Sequence, residues 1–381
     1  MVNANAVKVF KKAAPNGKVT AYLSNRDFVD HVDHCLPVDG VLVVDKDFLK
    51  GKQVFARVAV TYRYGREDDE MMGMSFCKEF IIVNDPIGPG TKDVDQINDV
   101  QEKLVKKLGE KGEAYPFKVK LPENSPASVT LEGGDDGGAS LGVSYDLIIY
   151  TGEGVEENPN KGNSIAFAIR KVQYAPNDPS KRKPQAMVSK GFTLSKGELK
   201  LEVTLAKDIY LHGDNVVASV NINNGSKKTV KNIKVNINQH IEVTMTNNQF
   251  IRTVASIESK EGCPITPGRN LEKDYTLVPS LSNNKKKTGI ALDGCLKDHD
   301  ANLASSTMHA KGKDANDALG IIVAYSLQVK VSCGAIAGEL KADVPFKMVH
   351  PDPSVARKNN EGALQVADFK TLRRGKSIAD D

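Results

Sequence analysis

The sequence contains no tryptophan, and aromatic residues make up only 6% of its 381 residues. A carbohydrate-active or ligand-binding sandwich protein usually lines a concave pocket with aromatic rings, so this shortage argues against that class. A strong net charge is also missing, since the chain carries only +4. A nucleic-acid-binding protein usually shows a larger basic excess or a dense basic stripe. We therefore expect no nucleic-acid partner.

Cysteine is scarce, and no long apolar run is present. The five cysteines are an odd number without a CxxC pair, which favours reduced thiols in a reducing compartment. They are Cys35, Cys77, Cys263, Cys295 and Cys333. The first residues lack the apolar segment of a secretory signal. The apolar stretch 319–331 is too short and too polar to span a bilayer. These features together predict a cytoplasmic protein.

Motifs for catalysis and metal binding are sparse as well. Neither HExxH nor the phosphate-binding GxxxxGK[ST] loop occurs, and the seven histidines are scattered along the chain. The acidic run 67–70 could hold a cation, but it lacks the ligand spacing of an EF-hand, which favours a solvated loop. We expect no enzyme, no cofactor and no metal site.

Strand patterns dominate what is present. Short runs rich in Val, Ile and Tyr recur between clusters of Gly, Asn, Asp and Pro. Examples are 18–23, 40–45, 53–64, 145–150, 164–174, 215–222 and 320–331. This spacing is typical of antiparallel sandwiches, and the chain is too long for one sandwich core. The sequence predicts an all-β fold of two antiparallel, immunoglobulin-like β-sandwich domains.

One segment has helical periodicity instead. Val100, Leu104, Val105 and Leu108 recur at helical spacing, and Gly109 supplies a stop signal. We expect one short helix near 99–110, packed on a sheet of the first domain. Its lysines form either a solvated face or a binding face.

Composition also suggests the domain boundaries. The proline-rich, non-periodic stretch 174–186 suits a hinge. We predict an N-terminal domain over 1–177, a hinge over 178–186, a C-terminal domain over 187–353 and a polar regulatory tail over 354–381.

Seven motifs carry a resemblance to the arrestin family. In chain order they are VFKKAAPNGK (9–18), RDFVDHVD (26–33), YRYGRED (62–68), LVKKLGE (104–110), AYPF (114–117), IRKVQYAP (169–176) and LDGCLKDHDANLASST (292–307). The chain resembles arrestins over nearly its whole length. The resemblance implies a non-enzymatic adaptor that binds an activated, phosphorylated G-protein-coupled receptor. It would block G-protein coupling and so desensitise signalling.

The tail narrows the resemblance. The tail is short and contains no clathrin-box sequence. In both respects it resembles the tails of visual arrestins, especially invertebrate ones. The implied receptor is then an opsin, and the implied location is the cytoplasm of a photoreceptor cell, with recruitment to the membrane on activation. A second hypothesis is a trafficking scaffold of arrestin fold that binds peptides without phosphate dependence.

Arrestins hold an inactive domain arrangement through a buried charge cluster, the polar core. The resemblance implies that its members here are Asp27, Arg170, Asp293 and Asp300. Arg170 lies in an otherwise apolar strand pattern, and a buried guanidinium needs carboxylate partners. The alternative is an Arg170 at an exposed strand end. An inserted phosphate would compete for Arg170 and for Lys297 on the same loop as Asp300.

The resemblance also implies phosphate-binding, receptor-binding and membrane-binding positions, with a solvated charged face as the alternative for the lysines. The phosphate-binding positions are Lys11, Lys12, Arg26, Lys106, Lys107 and Lys297. The receptor-inserting finger loop would comprise Gly65, Arg66, Glu67, Asp68, Met71, Met72, Gly73 and Met74, whose flexible methionines suit an apolar cavity. The alternative is a surface hairpin whose methionines fold back on the sheet. Leu194 and Ile336 would touch lipid at the far edge of the second domain.

The tail departs most from the family pattern. The resemblance implies that Phe369 latches the tail onto the first strand and the helix, at Val9, Phe10, Leu104 and Leu108. Arrestins usually have an arginine two residues after this phenylalanine, but Thr371 stands there. An adaptor-complex motif survives in part as Phe369, Leu372 and Arg373. The inositol phosphate site of some relatives is reduced to Lys231 and Lys234.

Overall fold

The computed structural model describes residues 7–64, 76–88, 91, 97–109, 113–123, 125–131, 141–176, 182–192, 196–285, 287–294, 302–308, 320–334, 337–351 and 364–368. These residues form 21 strands and two helices. The predicted all-β fold is confirmed. Among the described helices, none is long and apolar enough to cross a bilayer.

The first half of the chain contributes ten strands. They are β1 Val7–Ala13, β2 Val19–Leu23, β3 Asp27–Asp30, β4 Val38–Val44, β5 Gln53–Arg63, β6 Cys77–Pro86, β7 Glu113–Val119, β8 Val129–Leu131, β9 Gly142–Gly152 and β10 Ser164–Gln173. The second half contributes β11 Gln185–Gly191, β12 Glu198–Leu205, β13 Ile209–Leu211, β14 Val216–Asn224, β15 Asn232–Val243, β16 Asn248–Ser259, β17 Asn270–Leu277, β18 Ala291–Asp293, β19 Ile321–Ser332, β20 Glu339–Val349 and β21 Leu364–Asp368.

These strands form four sheets, two for each half of the chain. In the first half the orders are β21-β1-β2-β4-β7 and β18-β8-β9-β10-β3, with β5 paired to β9 and to β6. In the second half they are β11-β12-β14-β17 and β13-β20-β19-β15-β16. Two strands from late in the chain, β18 and β21, thus join sheets of the first half. The pairs β1–β21, β3–β10 and β13–β20 are parallel, and the other described pairs are antiparallel.

The sheets follow from alternation in the sequence. Along β14 the side chains of Val216, Ala218, Val220 and Ile222 are buried, and most residues between them face outward. Successive side chains of a strand point to opposite faces, so this pattern buries one face of the sheet in the core and exposes the other face to solvent. A continuous apolar core forms where such faces meet.

The predicted helix is α2, Asp99–Leu108. Asn98 caps its first turn, because its side chain accepts from the backbone N–H of Gln101 while the Gln101 side chain accepts from the Asn98 N–H. Leu104 and Leu108 are buried against Val9 of β1, Tyr22 of β2 and Val41 of β4. A second helix, α1 Lys46–Leu49, was not predicted, since a single turn is too short to show periodicity.

The predicted domain boundaries stay a prediction. Residues 177–181 of the hinge segment lie outside the described residues. Strand β11 begins at Gln185, before the predicted end of the hinge.

Candidate functional site

Arg170 and Asp27 form the centre of a charge cluster between the two halves of the chain. They are direct partners in the parallel ladder of β10 and β3, which brings their side chains together on one face. Arg170 Nε donates to Asp27 Oδ1 at 2.6 Å, and Nη2 donates to Oδ2 at 3.1 Å. The two side chains are only 15% and 24% exposed. Such a bidentate pair fixes both groups in position.

The second half of the chain meets this pair through the segment after β18. Arg170 Nη1 donates to the carbonyl of Gly294 at 3.3 Å. Burial opposes the charge of the guanidinium, but the hydrogen bond and charge of Asp27, together with the charge of Asp293, outweigh it and raise the pKa of Arg170. The arginine is therefore a fixed cation shared between carboxylates from both halves.

Asp293 is the most deeply buried carboxylate of the cluster, with 3% of its surface exposed. Its Oδ1 accepts from the Ser305 backbone N–H at 2.9 Å, and its Oδ2 lies 2.6 Å from His350 Nε2. Burial favours the neutral carboxyl, but the hydrogen bond and charge of His350 and the charge of His212 outweigh it and lower the pKa of Asp293. Asp293 is therefore ionised at neutral pH.

Two histidines that the sequence did not single out complete this region. His212 Nε2 lies 3.8 Å from Asp293 Oδ2, and the rings of His212 and His350 are 4.6 Å apart. Burial lowers the pKa of His212 to about 4; the charge of Asp293 opposes this shift, and His350 adds to it. No spacing signal could have found them, because His350 and Asp293 are 57 positions apart in the chain.

Three of the four residues predicted for the polar core lie in the described part of the chain. Asp27 and Arg170 are in contact, and Asp293 acts on Arg170 through its charge. Asp300 and Lys297 lie outside the described residues. The alternative of an Arg170 at an exposed strand end is wrong, because its side chain is largely buried.

The basic residues near the first strand are partly held in place. Lys11 and Lys12 on β1 are half-buried, and Lys12 Nζ donates to the carbonyl of Ala166 at 2.6 Å. Arg26 is buried, with its guanidinium 4.5 Å above the ring of Phe10. The Arg26 carbonyl accepts from the Arg170 N–H, so the two arginines share one backbone contact. The stretch from β1 to β3 therefore carries cations next to the charge cluster.

The helix lysines are exposed by comparison. Lys106 pairs with Glu102 one turn earlier, at 2.8 Å, and the two side chains are 75% and 54% exposed. Lys107 is also exposed. Lys106 lies on the face of α2 opposite Leu104 and Leu108, and Lys107 lies beside that buried face.

The tail occupies the free edge of β1. Strand β21 pairs with β1 in parallel register, from Val7 opposite Leu364 to Lys11 opposite Asp368. Phe369 itself lies outside the described residues. Of the four positions expected to receive it, Val9, Leu104 and Leu108 share one apolar cluster. Phe10 packs against the main core, because adjacent residues of a strand point to opposite faces.

The proposed receptor and membrane contacts fall mostly outside the described residues. All finger-loop positions lie within 65–75, between β5 and β6. The described residues on either side of this stretch are hydrogen-bonded, since the Tyr64 N–H donates to the Phe76 carbonyl at 2.9 Å. Leu194 and Ile336 lie outside as well. Described residues near them are in contact, because Lys190 Nζ donates to the carbonyl of Ala337 at 3.0 Å.

One pentapeptide matches a catalytic pattern by chance. Residues 138–142 read GASLG, which fits the GxSxG of a nucleophile elbow. That motif requires a strand-to-helix turn. Here Gly142 begins strand β9, so the required context is missing.

Comparisons with known proteins agree with this architecture. The family models for the N-terminal and C-terminal domains of "Arrestin (or S-antigen)" match residues 19–175 and 195–353. An arrestin homolog of Locusta migratoria is 52% identical over 370 residues, which cover 97% of this chain and 90% of the relative. Phosrestin-1 of Drosophila melanogaster is 52% identical over 374 residues, covering 98% and 92%. A lateral-eye arrestin of Limulus polyphemus is 54% identical over 349 residues, covering 91% and 86%. These matches confirm the predicted resemblance, and the chain belongs to the arrestin family.

Proposed function

We propose that this protein binds an activated, phosphorylated seven-helix receptor and thereby blocks coupling to the G protein, without catalysing a reaction. The observation that carries the proposal is the buried Arg170–Asp27 pair, joined to the second half of the chain through Gly294. A relative named for the lateral eye supports an opsin as the receptor and a photoreceptor cell as the setting. The protein would act in the cytoplasm and move to the membrane on receptor activation.

Phosphate recognition would work by competition for Arg170. A phosphate carries roughly −1.5 to −2 charges and three strong acceptor oxygens. The guanidinium is held by the Asp27 carboxylate and the Gly294 carbonyl and lies in the field of Asp293, so a phosphate that reaches it competes with these groups. Losing one partner of a buried pair leaves an unbalanced charge, which favours a rearrangement of the two halves. Asp300 and Lys297 would belong to the same cluster.

Delivery of the phosphate would use the first strand. Lys11, Lys12 and Arg26 provide cations there, and Lys106 and Lys107 extend the basic face along the helix. The β1 edge is now covered by β21. A phosphorylated receptor segment that added to this edge as a strand would displace the tail. Phosphate binding and release of the tail would then be one event.

Further contacts complete the proposal. The finger loop would enter the cavity of the activated receptor with its methionines, and Leu194 and Ile336 would insert into lipid. Lys231 and Lys234 would offer a weak inositol phosphate site. Once released, the tail would expose Phe369, Leu372 and Arg373 to an adaptor complex.

The test is binding to receptor membranes in four states: active or inactive, phosphorylated or not. We expect retention to be highest on active, phosphorylated membranes, with loss of G-protein activation in the same samples. Retention no greater than on inactive, unphosphorylated membranes would overturn the proposal. A phosphate-independent scaffold would instead be retained on active membranes to the same extent whether or not the receptor is phosphorylated. Charge reversal at Lys11 and Lys12 would not change its retention.

A further inference from the structure

Three metal-ligating side chains converge beside the charge cluster. His350 Nε2 lies 2.6 Å from Asp293 Oδ2, and His212 Nε2 lies 3.8 Å from the same oxygen. The ligand atoms of all three residues lie within 4.8 Å of one another. The side chains are 13%, 11% and 4% exposed for His350, His212 and Asp293. Receptor binding as proposed above uses neither histidine.

The spacing suits a four-coordinate ion. Zinc bonds to histidine nitrogen and carboxylate oxygen are about 2.0–2.2 Å, so ligand atoms of a tetrahedral site are roughly 3.3 Å apart. The two distances from Asp293 Oδ2 lie on either side of that value. To reach it, the His350–Asp293 distance would lengthen by about 0.7 Å and the His212–Asp293 distance would shorten by about 0.5 Å. Ser305 Oγ, 3.0 Å from His212 Nε2 and 3.4 Å from Asp293 Oδ2, marks the fourth corner.

The surroundings hold the ligands in place. The Ser305 N–H donates to the other oxygen of Asp293, which leaves Oδ2 directed at the histidines. The backbone of His350 bonds on both sides, to the Gln173 carbonyl and from the Ala175 N–H, and its ring packs 5.1 Å from that of Tyr174. Such outer contacts orient ligands in metal sites.

We propose that His212, His350 and Asp293 form a Zn²⁺ site at the seam between the two halves, with Ser305 Oγ or a water as the fourth ligand. Two imidazoles and one carboxylate are a donor set typical of zinc, whereas magnesium and calcium prefer sites made of oxygen alone. The ion would tie the end of β18 to strands β13 and β20. The inference does not depend on the proposed receptor binding.

The experiment uses the full-length protein, stripped of metal with a chelator and titrated with zinc chloride. We expect one Zn²⁺ per chain by calorimetry. X-ray absorption on the loaded wild-type protein should show nitrogen and oxygen ligands with the multiple-scattering signature of two imidazoles. No uptake of zinc, or a first shell containing sulfur from the cysteines, would overturn the proposal.

Variants then locate the site. His212→Gln and His350→Gln should each weaken zinc binding by at least about 100-fold, since even outer contacts of metal sites contribute 10- to 100-fold. His34→Gln is the matched control, because His34 stacks on His31 in the other histidine pair of the described residues. Unchanged zinc affinity in a folded His212 or His350 variant would overturn the proposal. A loss of zinc affinity in His34→Gln alone would also contradict the proposal. If the His212 and His350 variants fail to fold, the ligands that X-ray absorption shows on the wild-type protein decide the matter instead.

Discussion

Arg170 and Asp27 are joined twice, once as opposite residues in the parallel ladder of β10 and β3 and once through two side-chain hydrogen bonds of 2.6 and 3.1 Å. The backbone register therefore sets the side-chain geometry. Because the ladder keeps the two residues opposite each other, a change of charge at one of them acts directly on the other.

Reversing one charge of this pair should destabilise the protein. We expect Arg170→Glu and Asp27→Arg each to cost roughly 2–3 kcal/mol of unfolding free energy, somewhat less than the loss for a fully buried pair, because both side chains keep some exposure. The double reversal should recover part of that loss. Urea denaturation followed by circular dichroism measures all three.

The exposed pair Lys200–Glu198, 2.9 Å apart and about half exposed, provides the control. Lys200→Glu should change the unfolding free energy by no more than about 1 kcal/mol. Equal costs at the two sites would mean that the Arg170–Asp27 pair has no special role in stability.

Removing the charges on the first strand should weaken phosphate-dependent binding. The double variant Lys11→Gln, Lys12→Gln is expected to bind phosphorylated, active receptor membranes at least about tenfold more weakly, since even one lost charge-assisted bond contributes roughly 1.5–3 kcal/mol and about 1.4 kcal/mol is a factor of ten. Binding to unphosphorylated active membranes should hardly change. Co-sedimentation with receptor membranes gives both affinities.

A charge-matched control is available on the same half of the chain. The double variant Lys52→Gln, Lys120→Gln also removes two positive charges, but at positions outside β1. If this control loses as much affinity as the β1 variant, general electrostatic attraction explains the effect and the phosphate-binding role is refuted.

Deleting residues 362–381 should expose the edge of β1. The amides of β1 that bond to β21 would then exchange hydrogen faster, because a strand edge without a partner is open to water. The same deletion should raise binding to active receptor that lacks phosphate. Hydrogen-exchange mass spectrometry of the peptide covering residues 7–13 follows the first effect.

The anchoring role of Phe369 can be separated from the strand itself. Deleting only 369–381 keeps β21, and Phe369→Ala removes only the ring. If Phe369 is the latch, both should speed exchange in β1 nearly as much as the longer deletion. Full protection in both would show that backbone pairing alone holds the tail.

Cys35 should react slowly as long as the protein is folded. Burial raises the pKa of its thiol to about 11, and the charge of Lys171 offsets only part of that shift. At pH 8 the reactive thiolate should be at least about 100-fold rarer than in the unfolded chain, where the pKa is about 8.5. Labelling with iodoacetamide and peptide mass spectrometry should show a native rate that rises tenfold per pH unit up to about pH 11. A native rate that levels off near pH 9 would contradict the burial of this thiol.

Charged residues at the far edge of the second half should reduce lipid binding. Leu194→Asp with Ile336→Asp is expected to weaken binding to anionic vesicles about tenfold or more, since burying one such side chain contributes roughly 1.5–3 kcal/mol. Met187→Asp is the control, because Met187 is 68% exposed on β11, outside those loops. Equal losses in vesicle sedimentation would argue against a defined lipid-binding edge.

Part of the candidate site was predictable from the sequence, Arg170 from the pattern around it and Asp27 and Asp293 from the family resemblance. Arg170 stood out because a charged residue interrupts an apolar strand pattern, and buried charges need partners. His212, His350 and Ser305 gave no such signal, because each lies in an ordinary strand or loop context. Strand β21 was missed for a similar reason, since five residues within a polar tail show no clear alternation.

The sequence by itself determined the all-β class and the position of helix α2, because both depend on the spacing of apolar residues along a few turns or pleats. It also determined the family, through seven motifs in order. The family resemblance implied that Asp27, Arg170 and Asp293 form one cluster and that the tail docks on the first strand. Only the tertiary structure decided that β18 and β21 join sheets of the first half, and which side-chain atoms of the cluster meet. Those contacts join residues more than fifty positions apart, and local periodicity carries no information about which strand edges pair across such a distance.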